Sequence, residues 1–436
     1  MNRDSGTRRD LLAVAAAALL VAAAVGIGTY IEHRYGTLHV NWPPLYARWG
    51  PHLGPGTPAA LAVAALVVAY GPPLAARLSW RGLLWGAWGT SMAWTWSLAL
   101  IDGWHRGIAR RLTTSYEYLQ VIDRFRDIPA TLRDFHRHIL IGSPDHWPAH
   151  VAGHPPGATL TFVWLDRIGL GGGAWAGVWC ITVGCTAAVA VLVTVRALAS
   201  EKMARRAAPF LVLAPAAVWV GTSADGYFAA VAAWTVACTA LAATRRSRTA
   251  ALAAGVLFGA TCFLSYGLTL LAVLLGTVLL LTRTWRPLPL MVLGAAVVPV
   301  AFALAGFNWW EAYRLLVERY YEGAGGIRPY GYWVWANLAC TVLVVGPATV
   351  AGLRRVPGAV RDGERHFALL VTGALLALLA ADLSGMSKAE TERIWLPFAT
   401  WLLAAGALLP DRRRRAWLAA QAALALVLNS LLLTGW

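Results

Sequence analysis

The residues of this chain best equipped for chemistry are few and unevenly placed. His150 and His154 close a long polar stretch, and His154 stands directly before Pro155-Pro156. Paired prolines hold φ at about −65° and push the preceding residue out of the α region, so the spacing predicts an extended His154 at a helix start. Upstream lie two carboxylates, Asp102 at the end of an apolar segment and Glu117 between Tyr116 and Tyr118. Downstream, Asp225 sits at the tip of a tight turn, Gly221 to Tyr227, and the stretch from Ser387 to Arg393 gathers Lys388, Glu390, Glu392 and Arg393. A carboxylate in hydrogen-bond reach can accept a proton, an arginine binds phosphate oxygens in a two-pronged contact, and histidine and lysine position anions.

Each of these residues also has a plain structural alternative. Asp102 reads as a helix-end carboxylate in water, and Glu117 as the polar side of a surface helix. Asp225 reads as an N-cap, and Arg393 as an interfacial arginine paired with Glu390 or Glu392. Nine of the ten histidines fall on one expected face. No pair of them has the carboxylate-supported spacing of a known zinc motif, so no cofactor is assigned and a divalent metal is left without support.

The elements that must position these groups are membrane helices. Of 436 residues, 58% are hydrophobic and 13% charged, and the mean hydropathy is +0.57, too apolar for a soluble core of this size. Apolar runs long enough to cross about 30 Å of hydrocarbon recur along the chain. They predict an all-α polytopic protein of about thirteen spans: 11–31, 59–78, 83–102, 173–199, 206–221, 223–243, 250–266, 268–282, 288–306, 336–353, 367–385, 394–410 and 416–434. The first run is longer than a typical signal-peptide core and is expected to be an uncleaved anchor. Five cysteines lie within such runs without metal-type pairing and read as small core residues.

The net charge of +16 is a topology signal. With the N-terminus inside, the inner segments hold 22 basic and six acidic residues, while the outer side is neutral. The whole excess follows the positive-inside rule, and no nucleic-acid partner is implied. The C-terminus, Trp436, is then expected outside. The outer loop 103–157 is too long for a simple connector. Its apolar residues at Tyr116, Leu119, Ile122 and Phe125, and at Leu132, Phe135 and Ile139, predict two amphipathic helices lying on the membrane surface. Segment 158–170 is too short to cross and is expected to re-enter the same face. Stretch 307–335 predicts an outer amphipathic helix followed by a glycine-rich turn.

A long first outer loop that ends in His154-Pro155-Pro156 before an apolar segment resembles the protein O-mannosyltransferases. The aminoarabinose transferases that modify lipid A have a similar Lys-Pro-Pro turn. Both belong to the GT-C superfamily of polytopic glycosyltransferases. The turn at Ser223-Ala224-Asp225-Gly226 and the late Arg393-Ile394-Trp395-Leu396-Pro397 are similar to that superfamily's layout over roughly 83–410. Two departures stand out: the two-span extension 1–82 before the core, and Asp102-Gly103 in place of an acidic pair. A C-terminal span, 411–436, follows the core.

The resemblance implies transfer of a sugar from a polyprenyl-phosphate donor to a cell-envelope glycan, lipid or protein at the outer face of the plasma membrane. It implies Asp102, or else Glu117, as general base. Arg393, Lys388 and His154 would hold the donor phosphate, and His150, Asp225, Glu390 and Glu392 the sugar or acceptor. A transporter or lipid flippase, or a non-catalytic envelope scaffold, is the alternative. Transporters usually carry midplane charge in matched halves, and here the polar residues gather at outer helix ends.

Overall fold

A computed structural model describes residues 3–435, so Trp436 and its expected location lie outside the described residues. The chain is an all-α bundle, as its hydropathy requires, because only a helix satisfies every backbone group of a single segment in hydrocarbon. Among the described residues six helices are long and apolar enough to cross a membrane: Gly6–Tyr35, Thr57–Arg77, Gly173–Leu198, Ala224–Arg245, Tyr330–Leu353 and Arg365–Leu383. The pair Leu288–Leu304 and Trp309–Glu322, bent by 79°, makes at most a seventh. The other apolar segments expected to span are also helical, but several are short, such as Arg248–Leu264 and Tyr266–Thr282. The count of thirteen therefore rests on hydropathy alone.

One break in a long helix shows how the fold treats exposed backbone. Tyr330–Leu353 kinks at Gly346, whose φ is 76°, just before Pro347. The fully buried Gln421 fills the gap: its Oε1 accepts from Ala348 N at 3.1 Å and its Nε2 donates to Val345 O at 2.9 Å. A side-chain amide thus replaces the two helical hydrogen bonds that the kink removes.

The helix Pro156–Arg167 has 12 residues and rises only about 18 Å, in keeping with a segment that does not cross. The 307–335 stretch forms Trp309–Glu322 followed by the glycine-rich turn.

The loop 103–157 departs from expectation. Its first apolar set forms a 3-10 helix, Tyr118–Phe125, and its second is split between Ile128–Asp134 and a 3-10 turn, Phe135–His138. Tyr118, Val121, Phe125, Leu132, Phe135 and Ile139 are buried in the protein core, while Tyr116 is exposed. Arg167 fixes the layer by donating to the carbonyls of Phe125 and Arg126. The loop therefore packs onto the bundle as a lid of short turns; the 3-10 winding, with three residues per turn, stacks Tyr118 and Val121 on one inward face.

The extension before the core belongs to this same end. Strand Ala47–Trp49 pairs antiparallel with Leu432–Thr434. The stretch after it lies against the helix that ends near Asp102: a Cβ on Gly54 would sit 1.9 Å from the Ile101 carbonyl oxygen, so only glycine allows the approach.

Candidate active site

The outer loop, the turn before Ala224–Arg245 and the turn before Leu396–Leu402 converge on one buried arginine. Arg393 donates to Asp225 Oδ2 at 2.5 Å and to Glu390 Oε2 at 2.7 Å. Its Nη2 also lies 3.1 Å from His150 Nε2. A guanidinium can only donate, so His150 Nε2 accepts and Nδ1 carries the ring proton. That Nδ1 is 3.0 Å from Glu117 Oε1. A chain of contacts therefore runs from Glu117 through His150 to Arg393 and on to two carboxylates.

Local sequence explains each position. Ser223, not Asp225, caps Ala224–Arg245, with its hydroxyl accepting from Asp225 N. The N-cap alternative for Asp225 is thus set aside, and its carboxylate is left for Arg393. Ala389 and Glu390 both adopt positive φ, 75° and 63°, a costly conformation for non-glycine residues that turns the chain sharply before Arg393. His154 is extended, φ −128° and ψ 151°, as the prolines require.

The protonation pattern follows from burial and charge. Burial works to raise Glu390, but Arg393 and Arg328 outweigh it and hold its carboxyl below the usual range. The neighbouring carboxylates likewise raise Arg393, against the effect of burial. Burial lowers His154 to about 4, with Asp225 opposing that fall. His154 Nδ1 is 2.8 Å from the His150 carbonyl, so it carries the proton of a neutral ring. The Tyr118 hydroxyl lies 3.1 Å from the same nitrogen.

Not every expected site residue joins the cluster. Lys388 is buried and donates from Nζ to Gly325 O at 2.7 Å, facing Tyr321. Glu392 is fully buried and faces the N-terminal loop, accepting from Tyr46 N at 2.9 Å and from the Cys340 thiol. Burial raises its carboxyl. Asp102 sits in a neighbouring cluster: its Oδ2 accepts from Arg111 at 2.6 Å, while His52 Nε2 and Arg106 Nε lie 2.8 and 3.5 Å from Oδ1. Gly103, with φ 76°, turns the chain just after it. Glu117 Oε2, by contrast, is buried and makes no hydrogen bond.

The two clusters meet at Arg111. It lines a small cavity of about 10 Å³ with Glu117, His150, Asp225 and Arg393. It also lines a larger one of about 350 Å³ with Arg48, Arg106 and Arg110. One side holds three carboxylates around Arg393, and the other gathers four arginines, two of them paired with Asp102. Sequence reasoning missed Arg106, Arg110 and Arg111, although Arg106 follows Asp102 by four positions, the spacing of neighbours on a helical face. It also missed Arg48 and His52, which only the tertiary fold brings near. Among the described residues no group of three His, Cys, Asp or Glu side chains is placed to hold a metal ion.

No protein-family model and no curated protein matches the chain. Among solved structures it is similar to ArnT from Cupriavidus metallidurans in the apo state, at 16% identity and a TM-score of 0.44. The match covers 70% of this chain and 56% of that one, so the chain matches little more than half the length of that structure.

Proposed function

We propose that the chain is a GT-C-type membrane glycosyltransferase. It would transfer a sugar from a polyprenyl-phosphate donor to a cell-envelope glycan, lipid or protein at the outer face of the plasma membrane. The observation that carries this reading is the two-sided site: a buried, carboxylate-rich cluster joined through Arg111 to an arginine-lined pocket. Carboxylates suit sugar hydroxyls and proton removal, and arginines suit a leaving phosphate.

In this mechanism the acceptor hydroxyl oxygen forms a bond to the anomeric carbon as its proton passes to a carboxylate. The bond from the anomeric carbon to the phosphate oxygen breaks, and polyprenyl phosphate leaves with the electron pair. Glu117 is the better-placed base, since its Oε2 is free of hydrogen bonds, while cationic groups surround both oxygens of Asp102. Arg393 and His150 hold Glu117 and Asp225 in fixed positions. Asp102 orients Arg111 toward the phosphate.

The test is turnover of a short-chain polyprenyl-phosphate sugar by the protein in nanodiscs with an envelope extract as acceptor. Wild type should release polyprenyl phosphate, and Arg393→Ala should not. Wild-type protein that consumed none of the common polyprenyl-phosphate sugars would sink the reading. The orientation has its own check: Asp362→Cys should resist an impermeant thiol reagent in intact cells, and labelling there would reverse the topology.

A further inference from the structure

The arginine-lined cavity has its own architecture. Its wall brings Arg48, Arg106, Arg110 and Arg111 together with Tyr46 and Thr434. These residues come from three separate places: the N-terminal loop, the turns after Asp102, and the C-terminal strand. At about 350 Å³ it falls within the roughly 300–1,000 Å³ of small-molecule sites. Among the described residues the ion pairs of these arginines go to Asp102 alone, from Arg106 and Arg111. Arg48 and Arg110 have no carboxylate partner there. Four arginines thus line the cavity and one carboxylate, Asp102, pairs with two of them, leaving an excess of three positive charges beside a concave space.

A solvated basic surface would not be built this way. The Arg111 side chain is only 9% exposed, and it is held at both ends, by Asp102 Oδ2 at 2.6 Å and by the Thr434 carbonyl at 2.8 Å. Burial lowers its guanidinium to about 10, Asp102 opposing and Arg106 adding to the fall. Arg48 is fixed in register by the strand pair, opposite Leu433. Cations fixed in advance lose little freedom when an anion arrives, and fork-shaped guanidinium groups match phosphate oxygens.

We propose that this pocket is a phosphate seat, in which Arg48 and Arg110 supply the uncompensated charge and Arg106 and Arg111 form the inner wall. The inference deepens the glycosyltransferase reading: there, the phosphate is the donor's, lying on the Arg111 side of the carboxylate cluster. It also makes the N-terminal loop and the C-terminal strand parts of the site. A lipid-linked phosphate and a free phosphate share this chemistry, and the experiment separates them.

Binding of farnesyl phosphate, farnesol and inorganic pyrophosphate is measured on the full chain in nanodiscs, for wild type, Arg48→Gln and Arg110→Gln. Both arginines are exposed, so the variants should keep their thermal stability, and Arg48→Lys should recover part of the affinity. Tight farnesyl phosphate binding without farnesol binding, weakened about tenfold or more in each Gln variant, is the expected result. The same arginine dependence with pyrophosphate alone would keep the seat and make its ligand soluble. Unchanged affinity in both variants, or no wild-type binding of either phosphate, overturns the proposal. Arginine-dependent binding without any sugar transfer would sink the glycosyltransferase reading and leave the seat standing; transfer that ignores Arg48 and Arg110 would do the reverse.

Discussion

The two ends of the helix bundle use the same residue types in opposite ways. At the basic end, Asp10 is 1% exposed and pairs with Arg354 and Arg355, whose side chains are 28% and 24% exposed. Arg206 pairs there with Asp411 and donates to the carbonyls of Ala407 and Leu409. Cations outnumber carboxylates, and the partly exposed ones reach water. Around the central arginine of the loop end the ratio is inverted: Arg393, 6% exposed, serves Asp225 and Glu390 and touches His150, whose other nitrogen faces Glu117. Carboxylates outnumber the buried cation, and the network borders cavities. The basic end closes helix termini with partly exposed arginines; the loop end concentrates buried charge at a cost that suits a functional site.

The largest difference should appear on deleting the central cation. Arg393→Ala would leave Asp225 and Glu390 without their main partner, and breaking a buried pair typically costs about 3–5 kcal/mol. A large loss of thermal stability together with loss of sugar transfer is expected. Arg393→Lys should restore more stability than activity, because a point charge cannot contact Asp225 and Glu390 at once in planar geometry. A fully active Arg393→Ala would erase the contrast between the two ends.

Next come the two carboxylates that compete for the role of base. Removing a general base typically costs about 10²- to 10⁴-fold in rate. Glu117→Gln should fall in that range while retaining donor binding. Asp102→Asn should instead weaken donor binding more than turnover, since Arg111 loses its anchor. The opposite pattern in single-turnover and binding measurements would return the base to Asp102.

Much of this contrast was legible in the sequence, and what was hidden has a physical cause. Hydropathy located the helices, and the paired prolines located the extended His154. Local spacing offered Glu390 or Glu392 as a partner for Arg393, and the fold selects Glu390. The bond from Arg393 to Asp225 crosses 168 positions, and no local pattern encodes it. Arg48 reaches its pocket only because residues 47–49 pair with 432–434. The outer loop misled for another reason: the same apolar residues suit a membrane surface or a protein core, and its 3-10 winding turned Tyr118 and Val121 inward.

The loop end should also respond to acid. His154 titrates at about 4 when folded, against an ordinary 6.5. Between those values the unfolded chain binds more protons, so stability rises with pH through this window and is lost as pH falls from 6.5 toward 4. Thermal midpoints recorded across it should drop for wild type and flatten for His154→Gln. A wild-type profile matched by the variant would show that His154 is not the responsible group.

The smallest effect is expected at the basic end, where Asp10→Asn tests whether the asymmetry is one of function or only of position. The substitution removes the charge that joins the first helix to Arg354 and Arg355, yet both arginines already reach solvent and can be hydrated when it goes. The penalty should therefore lie well below that of Arg393→Ala, about 1–2 kcal/mol, closer to a lost charged hydrogen bond than to an orphaned buried ion. Sugar transfer per folded molecule and farnesyl phosphate affinity should stay at wild-type levels, because Asp10 belongs to the opposite end of the helices from both cavities. If Asp10→Asn instead lowered turnover without lowering stability, the basic end would be coupled to the site, and the division between a structural end and a chemical end would fail.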